Sequence, residues 1–119
     1  ELTDGRLRVS GRADDVIISG GVNVDPLQVE EALAVLPGRW IVVGVPDPEW
    51  GQLVVAVTDA GAGLDAVRAA TASLAPAARP RAVCRLPELP HRGPGKLDRR
   101  AAATAAGRAL VDGLAERRP

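Results

Sequence analysis

Methionine, phenylalanine and tyrosine are absent from the 119 residues, and cysteine and histidine occur once each. A single cysteine, Cys84, excludes an internal disulfide and a multi-cysteine zinc site. Without methionine the chain is expected to start downstream of a start codon, as a fragment or a processed product. With only Trp40 and Trp50 as large aromatics, the core must be built from Val, Leu, Ile and Ala, with the two tryptophans as bulky fillers. No apolar run approaches the ~20 residues that span a bilayer, so no membrane contact is expected. The polar start, Glu1-Leu2-Thr3-Asp4-Gly5, lacks the apolar stretch of a signal peptide, and a cytoplasmic location is expected.

What is present fits one globular domain. Hydrophobic residues make up 46% and charged residues 25%, too apolar for a disordered chain. The net charge of zero hides an asymmetry: residues 1–75 carry 5 basic and 11 acidic side chains, and residues 76–119 carry 10 basic and 4 acidic ones. The C-terminal part is therefore the natural place to meet phosphate. A nucleic-acid binder would use the same charge, but the lack of Phe and Tyr removes the usual stacking platforms, so no nucleic acid is expected.

Periodicity and turn residues predict an α+β fold. Arg6–Val9 and Val16–Ile18 read as short strands, the second ending at Ser19-Gly20-Gly21. Asp25 is placed to cap a helix that begins at Pro26, buries Val29, Ala32, Leu33 and Leu36, and stops at Pro37-Gly38; Gln28 falls at the capping-box position. Trp40–Val45, Leu53–Val57 and Ala82–Leu86 are continuous apolar runs of the kind buried on both faces. Leu64–Leu74 and Leu97–Arg117 read as helices, while Pro76–Pro80 and Pro87–Gly95 read as irregular. The expectation is an N-terminal β-hairpin followed by a small three-stranded mixed sheet flanked by helices.

Two segments carry chemistry. The first is Pro90-His91-Arg92-Gly93-Pro94-Gly95-Lys96-Leu97-Asp98-Arg99-Arg100, a lysine after a stiff Pro/Gly loop and before a helix. An ammonium held there is a compact charge for a phosphate or a carboxylate. A Walker A loop is excluded, because it needs Gly where Pro90 stands and Ser or Thr where Leu97 stands. The second is Gly11-Arg12-Ala13-Asp14-Asp15-Val16-Ile17-Ile18-Ser19-Gly20-Gly21-Val22-Asn23-Val24. Taken singly, either is as readily a surface lysine or a salt-bridged tight turn. His91 reads as a solvated loop residue and Cys84 as core.

In this order, with Gly44–Gln52 and Leu74–Arg81 between them, the segments resemble the C-terminal domain of the adenylate-forming superfamily, over residues 6–101. The wording of the first half is most similar to small-acid CoA ligases, with the o-succinylbenzoate–CoA ligases of menaquinone biosynthesis the preferred group. The resemblance implies a lid on a large N-terminal AMP-binding domain, of which residues 1–11 would be the tail, with residues 12–119 as the lid. Such enzymes join a carboxylic acid to ATP, giving acyl-AMP and pyrophosphate, and then pass the acyl group to CoA; Mg2+ would travel with ATP and not bind this domain. By resemblance Lys96 is the catalytic lysine, Asp14 the hinge with Arg12 as its partner, and Gly20 and Gly21 line the pantetheine tunnel. Trp50, Arg79 and Arg81 match positions near CoA, and Asn23 and Gly95 lie near the nucleotide phosphate. A homodimer through the missing domain is also implied. This sequence departs from the pattern at Asn23, where relatives often have a basic residue, and at Ala77 and Ala78, where they have an aromatic and a basic one. A stand-alone, non-catalytic module and a carrier-protein acceptor remain open.

Overall fold

The computed structural model describes residues 15–118. The expected strand Arg6–Val9 and the hinge pair Arg12 and Asp14 lie outside these residues. The first described elements form a hairpin, β1 (Ile17–Ser19) and β2 (Val22–Val24), with Ile17 opposite Val24 and Ser19 opposite Val22. Its two-residue turn has positive φ at both Gly20 (59°) and Gly21 (81°), the geometry that matches strand twist and that glycine adopts without penalty. Val16–Ile18 therefore pairs forward, with the residues after the glycines.

Helix α1 (Pro26–Leu33) begins as its sequence dictates. Asp25 is the N-cap, its carboxylate accepting from the Leu27 N–H at 3.0 Å, and Pro26 fills the position that has no N–H to satisfy. The helix stops at Leu33, one turn short of the expected Pro37-Gly38 boundary.

Strands β3 (Trp40–Asp47) and β4 (Gly51–Thr58) make the longest pair, antiparallel from Trp40↔Thr58 to Asp47↔Gly51. Helix α2 (Leu64–Ala70) and a 3-10 turn (Pro76–Ala78) carry the chain over to β5 (Ala82–Arg85). β5 runs parallel to β4, which requires such a crossover, so the sheet is mixed as expected. Even-numbered residues of the long hairpin, Trp40, Val42, Val54 and Ala56, pack with Val29 and Leu33 of α1 and Leu64 and Val67 of α2. Odd-numbered ones, Ile41, Val43, Val45, Leu53, Val55 and Val57, pack on the other face with Ala102 and Ala106. Burial on both faces explains the unbroken apolar runs. Each fully buried Val, Leu or Ile contributes about 1.5–3 kcal/mol.

The C-terminal third differs from the helix expected over Leu97–Arg117. Pro87–Gly95 contains β6 (His91–Gly93), which pairs with β7 (Lys96–Leu97) as a separate two-stranded ribbon. Helix α3 (Arg99–Val111) starts at Asp98, whose carboxylate caps the Ala101 N–H at 3.0 Å. It stops at Gly113, where φ is 73° and the Leu114 N–H reaches back to the Ala109 carbonyl at 2.8 Å, a Schellman closure. The chain then adds β8 (Glu116–Arg117) to the free edge of β5. Alanine content hid this stop, because Gly113 inside an Ala- and Arg-rich run reads as helix. Leu64–Leu74 is also shorter than expected, ending as a helix at Ala70.

Candidate functional site

The β3–β4 loop is set by Asp47. Its Oδ2 accepts from the N–H groups of Glu49 and Trp50, each at 3.0 Å, and its Oδ1 accepts from Arg117 at 3.1 Å. Burial alone would raise this carboxyl, but the two N–H groups and Arg117 outweigh it and hold the pKa below its ordinary value. The loop closes on Gly51, at φ 78°, which aims Trp50 back toward the β1–β2 turn.

There Trp50 meets Gly20. The Trp50 carbonyl accepts from the Gly20 N–H at 2.8 Å. A Cβ on Gly20 would lie 3.0 Å from Cε3 and 3.1 Å from Cζ3 of the indole, so the ring occupies the space a side chain would need. Gly21 differs: a Cβ there meets nothing within 4 Å, and only its positive φ calls for glycine. The Gln52 side chain fastens the same hairpin by accepting from the Ile18 N–H at 2.8 Å.

Arg81 stacks on the same indole, its guanidinium carbon 4.2 Å from the ring centroid. Trp50, Arg81, Glu49, Arg117 and Arg118 line one groove of about 410 Å³. Its surroundings are strongly cationic. Burial lowers the pKa of neighbouring Arg68, and the charges of Arg118, Arg81 and Arg79 lower it further. Arg79 is already committed, Nε donating to the Leu74 carbonyl at 3.1 Å and Nη2 to that of Ala72 at 2.9 Å, which closes the end of the α2 segment. Ala77 and buried Ala78 carry only methyl groups and bring neither charge nor an aromatic ring to this face.

Lys96 stands elsewhere, on the β6–β7 ribbon. It is exposed, and among the described residues its ammonium has no side-chain partner. Gly95 before it has φ 73° with open space where a Cβ would lie, so the glycine serves the turn. The ribbon is pinned to the body by Leu89, which is buried, and by the Asp98 N–H donating to the Pro90 carbonyl at 2.8 Å. Asn23, opposite Ile18 on β2, is exposed on the hairpin. Of the expected site residues, then, the structure gathers Gly20, Trp50 and Arg81, keeps Lys96 and Gly95 on the ribbon, and sets Arg79 against backbone. His91 is exposed, and Cys84 is buried in the sheet, where burial raises its thiol pKa. Among the described residues no group of His, Cys, Asp and Glu side chains could hold a metal ion. Nor, among the described residues, is any helix long and apolar enough to cross a membrane.

Residues 28–96 match the AMP-binding enzyme C-terminal domain family. The chain belongs to this family. As an AMP-binding C-terminal domain it is 44% identical over 104 residues to 4-chlorobenzoate–CoA ligase of Pseudomonas sp. (strain CBS-3), an alignment covering 81% of this chain and 20% of that protein. It is 43% identical over 105 residues to the probable 2-succinylbenzoate–CoA ligase of Mycobacterium tuberculosis, covering 82% of this chain and 27% of that one. Among solved structures, a fatty acyl CoA synthetase of Mycobacterium tuberculosis superposes with a TM-score of 0.76 at 27% identity, over 84% of this chain and 21% of that one. The domain thus spans between a fifth and about a quarter of the length of these relatives. Its relatives are acyl-CoA ligases acting on different acids.

Sequence reasoning missed Asp47, Glu30, Arg99, Arg117 and Arg118. Asp47 had a signal, since Asp-Pro-Glu-Trp is an Asx-turn pattern. Arg117 was hidden by the over-long helix, and Arg118 lay just beyond it. Glu30 and Arg99 are joined only by the tertiary fold.

Proposed function

We propose that this chain is the catalytic lid of an ATP-dependent carboxylate–CoA ligase in the cytoplasm, working with an N-terminal AMP-binding domain and inactive without it. The observation that supports this most is Lys96: an exposed ammonium with no side-chain partner among the described residues, at the end of a ribbon that stands apart from the main sheet. In the first step Lys96 bridges the acid's carboxylate and the α-phosphate of ATP, neutralising charge that grows in the transition state. Its freedom from internal ion pairs leaves the full charge for the substrate. The lid then turns about Asp14, with Arg12 beside it, and brings the hairpin to the acyl-AMP; Asn23 there supplies a neutral hydrogen bond where many relatives carry a cation.

In the second step the pantetheine arm passes the Gly20-Gly21 turn, and the phosphates of CoA meet the cationic groove beside Trp50. Arg81 stacks on the indole and presents its charge there, while Arg79 contributes mainly its field. ATP and CoA enter as substrates, with Mg2+ accompanying ATP and no metal held by this lid. For the acid, o-succinylbenzoate is proposed; the 44% identity to a 4-chlorobenzoate–CoA ligase favours a second reading, another benzoate. Full-length enzyme is to be assayed for pyrophosphate release and for CoA thioester with o-succinylbenzoate, 4-chlorobenzoate and a medium-chain fatty acid. Pyrophosphate release and a CoA thioester with o-succinylbenzoate support the reading. Release without any thioester would remove CoA as acceptor, and release with neither aromatic acid would remove both acids.

A further inference from the structure

Among the described residues the ribbon that carries Lys96 pairs only with itself, so its orientation rests on what flanks it: buried Leu89 before it, and Asp98 with the start of α3 after it. Three residues on, Arg99 opens α3. Its Nη1 donates to Glu30 Oε2 at 2.6 Å and to the Val42 carbonyl at 2.7 Å, and its Nη2 lies 3.5 Å from Glu30 Oε1. Its Nε is 3.9 Å from Asp15 Oδ2. Glu30 Oε2 also accepts from the Val42 N–H at 2.8 Å. Among the described residues β3 pairs with β4 alone, and both polar groups of Val42 on its outer edge are taken by this one ion pair. The ring of bonds joins α1, β3 and α3, and its side chains are only 25% (Arg99) and 18% (Glu30) exposed. Neighbouring Arg100 is exposed and has no such side-chain partner among the described residues.

We propose that Arg99 is a positioning residue for adenylation: it locks the first turn of α3, and with it the Lys96 ribbon, to the body of the lid. This rests on the role given to Lys96 above. Residues 96 and 99 are at most about 10 Å apart along the chain. With the lysine side chain added, a tilt of α3 by only a few degrees moves the ammonium by roughly 1 Å, a misplacement that costs on the order of 10²-fold in rate. A guanidinium suits the task because the two N–H groups of Nη1 serve a carboxylate and a carbonyl together while Nη2 faces the second carboxylate oxygen. The hairpin face used for thioester formation is held by other bonds, those of Gln52 and Trp50.

The test uses full-length enzyme with o-succinylbenzoate and with 4-chlorobenzoate, measuring acid-dependent ATP–pyrophosphate exchange and, separately, thioester formation from supplied acyl-AMP. Arg99→Gln is expected to lower the exchange rate constant about 10- to 100-fold with little change in KM for ATP, while thioester formation stays within about threefold. Arg99→Lys keeps the charge but loses the fork, and falls between. Lys96→Ala combined with Arg99→Gln loses no more than Lys96→Ala alone, because Arg99 acts through the lysine. Equal loss of both half-reactions in Arg99→Gln, or no loss in either, overturns the proposal. If Arg99→Gln does not fold, Arg99→Lys decides, and unchanged rates in both half-reactions overturn it. Full exchange in Lys96→Ala would sink the lysine's role itself, whereas a dead Lys96→Ala beside an unaffected Arg99→Gln removes Arg99 alone.

Discussion

Alanine at Gly20 and alanine at Gly21 share one cost and differ in a second. Both positions have positive φ, 59° and 81°, where a Cβ costs about 1–2 kcal/mol. At Gly21 nothing lies within 4 Å of the added methyl, so that cost stands alone. At Gly20 the methyl would sit 3.0 Å from the Trp50 ring, against an optimum of about 3.5–4.0 Å between carbons. The indole must retreat by roughly half an ångström, which disturbs its stack with Arg81 and pulls on the main chain whose carbonyl accepts from the Gly20 N–H. Overpacking of this kind costs about 1–3 kcal/mol, and the half-buried ring can yield, so the low end applies. Gly20→Ala is thus expected to lose about 2–3 kcal/mol and Gly21→Ala about 1–2 kcal/mol. Urea unfolding followed by circular dichroism gives both values, and Trp50→Ala completes a double-mutant cycle. On the Trp50→Ala background the Gly20→Ala cost should fall to that of Gly21→Ala, a coupling of about 1 kcal/mol. Equal costs for the two glycines, or no coupling to Trp50, would refute the packing argument.

Other perturbations probe the same face. Asp47→Asn should cost about 1–3 kcal/mol at neutral pH, because two N–H groups and Arg117 lose a charged acceptor. The folded carboxyl has the lower pKa, so its contribution is complete above about pH 4 and fades as pH falls through the folded value. The stability gap between wild type and Asp47→Asn, measured by urea unfolding across pH, should therefore close on acidification; a gap that widens would contradict the sign. In full-length enzyme Trp50→Ala should raise KM for CoA about tenfold, as loss of the indole and of its hold on Arg81 removes about 1.4 kcal/mol, and leave pyrophosphate exchange intact. An unchanged KM would take Trp50 out of the CoA site.

How far the sequence can be read follows from where each element's information lies. Asp25-Pro26 is a local signal, since capping and a missing N–H act within one turn, and α1 starts where it says. The runs Trp40–Val45, Leu53–Val57 and Ala82–Leu86 mark a sheet buried on both faces, and three strands stand there. Chain direction in the ribbon Pro87–Leu97 has no such pattern, because two short strands that, among the described residues, pair only with each other need no apolar alternation. The end of α3 turned on one glycine, Gly113, a local Schellman signal masked by the alanines and arginines on either side of it. For the candidate site, the Lys96 and Gly20-Gly21 segments were legible as motifs, but Arg99–Glu30 joins residues 69 apart and is visible only once folded. Arg79 and Arg81 look alike in sequence, yet one is spent on carbonyls and the other lies on Trp50.

The central claim is that a single exposed ammonium, offered by the lid, is needed for one half-reaction and not for the other. Lys96→Ala in the full-length enzyme tests it, with pyrophosphate exchange and thioester formation from supplied acyl-AMP measured side by side. The account predicts a loss of at least about 10²-fold in exchange, the scale of removing one preorganised charge-stabilising group, with thioester formation near wild type. Equal loss of the two activities, or exchange that survives, would contradict it.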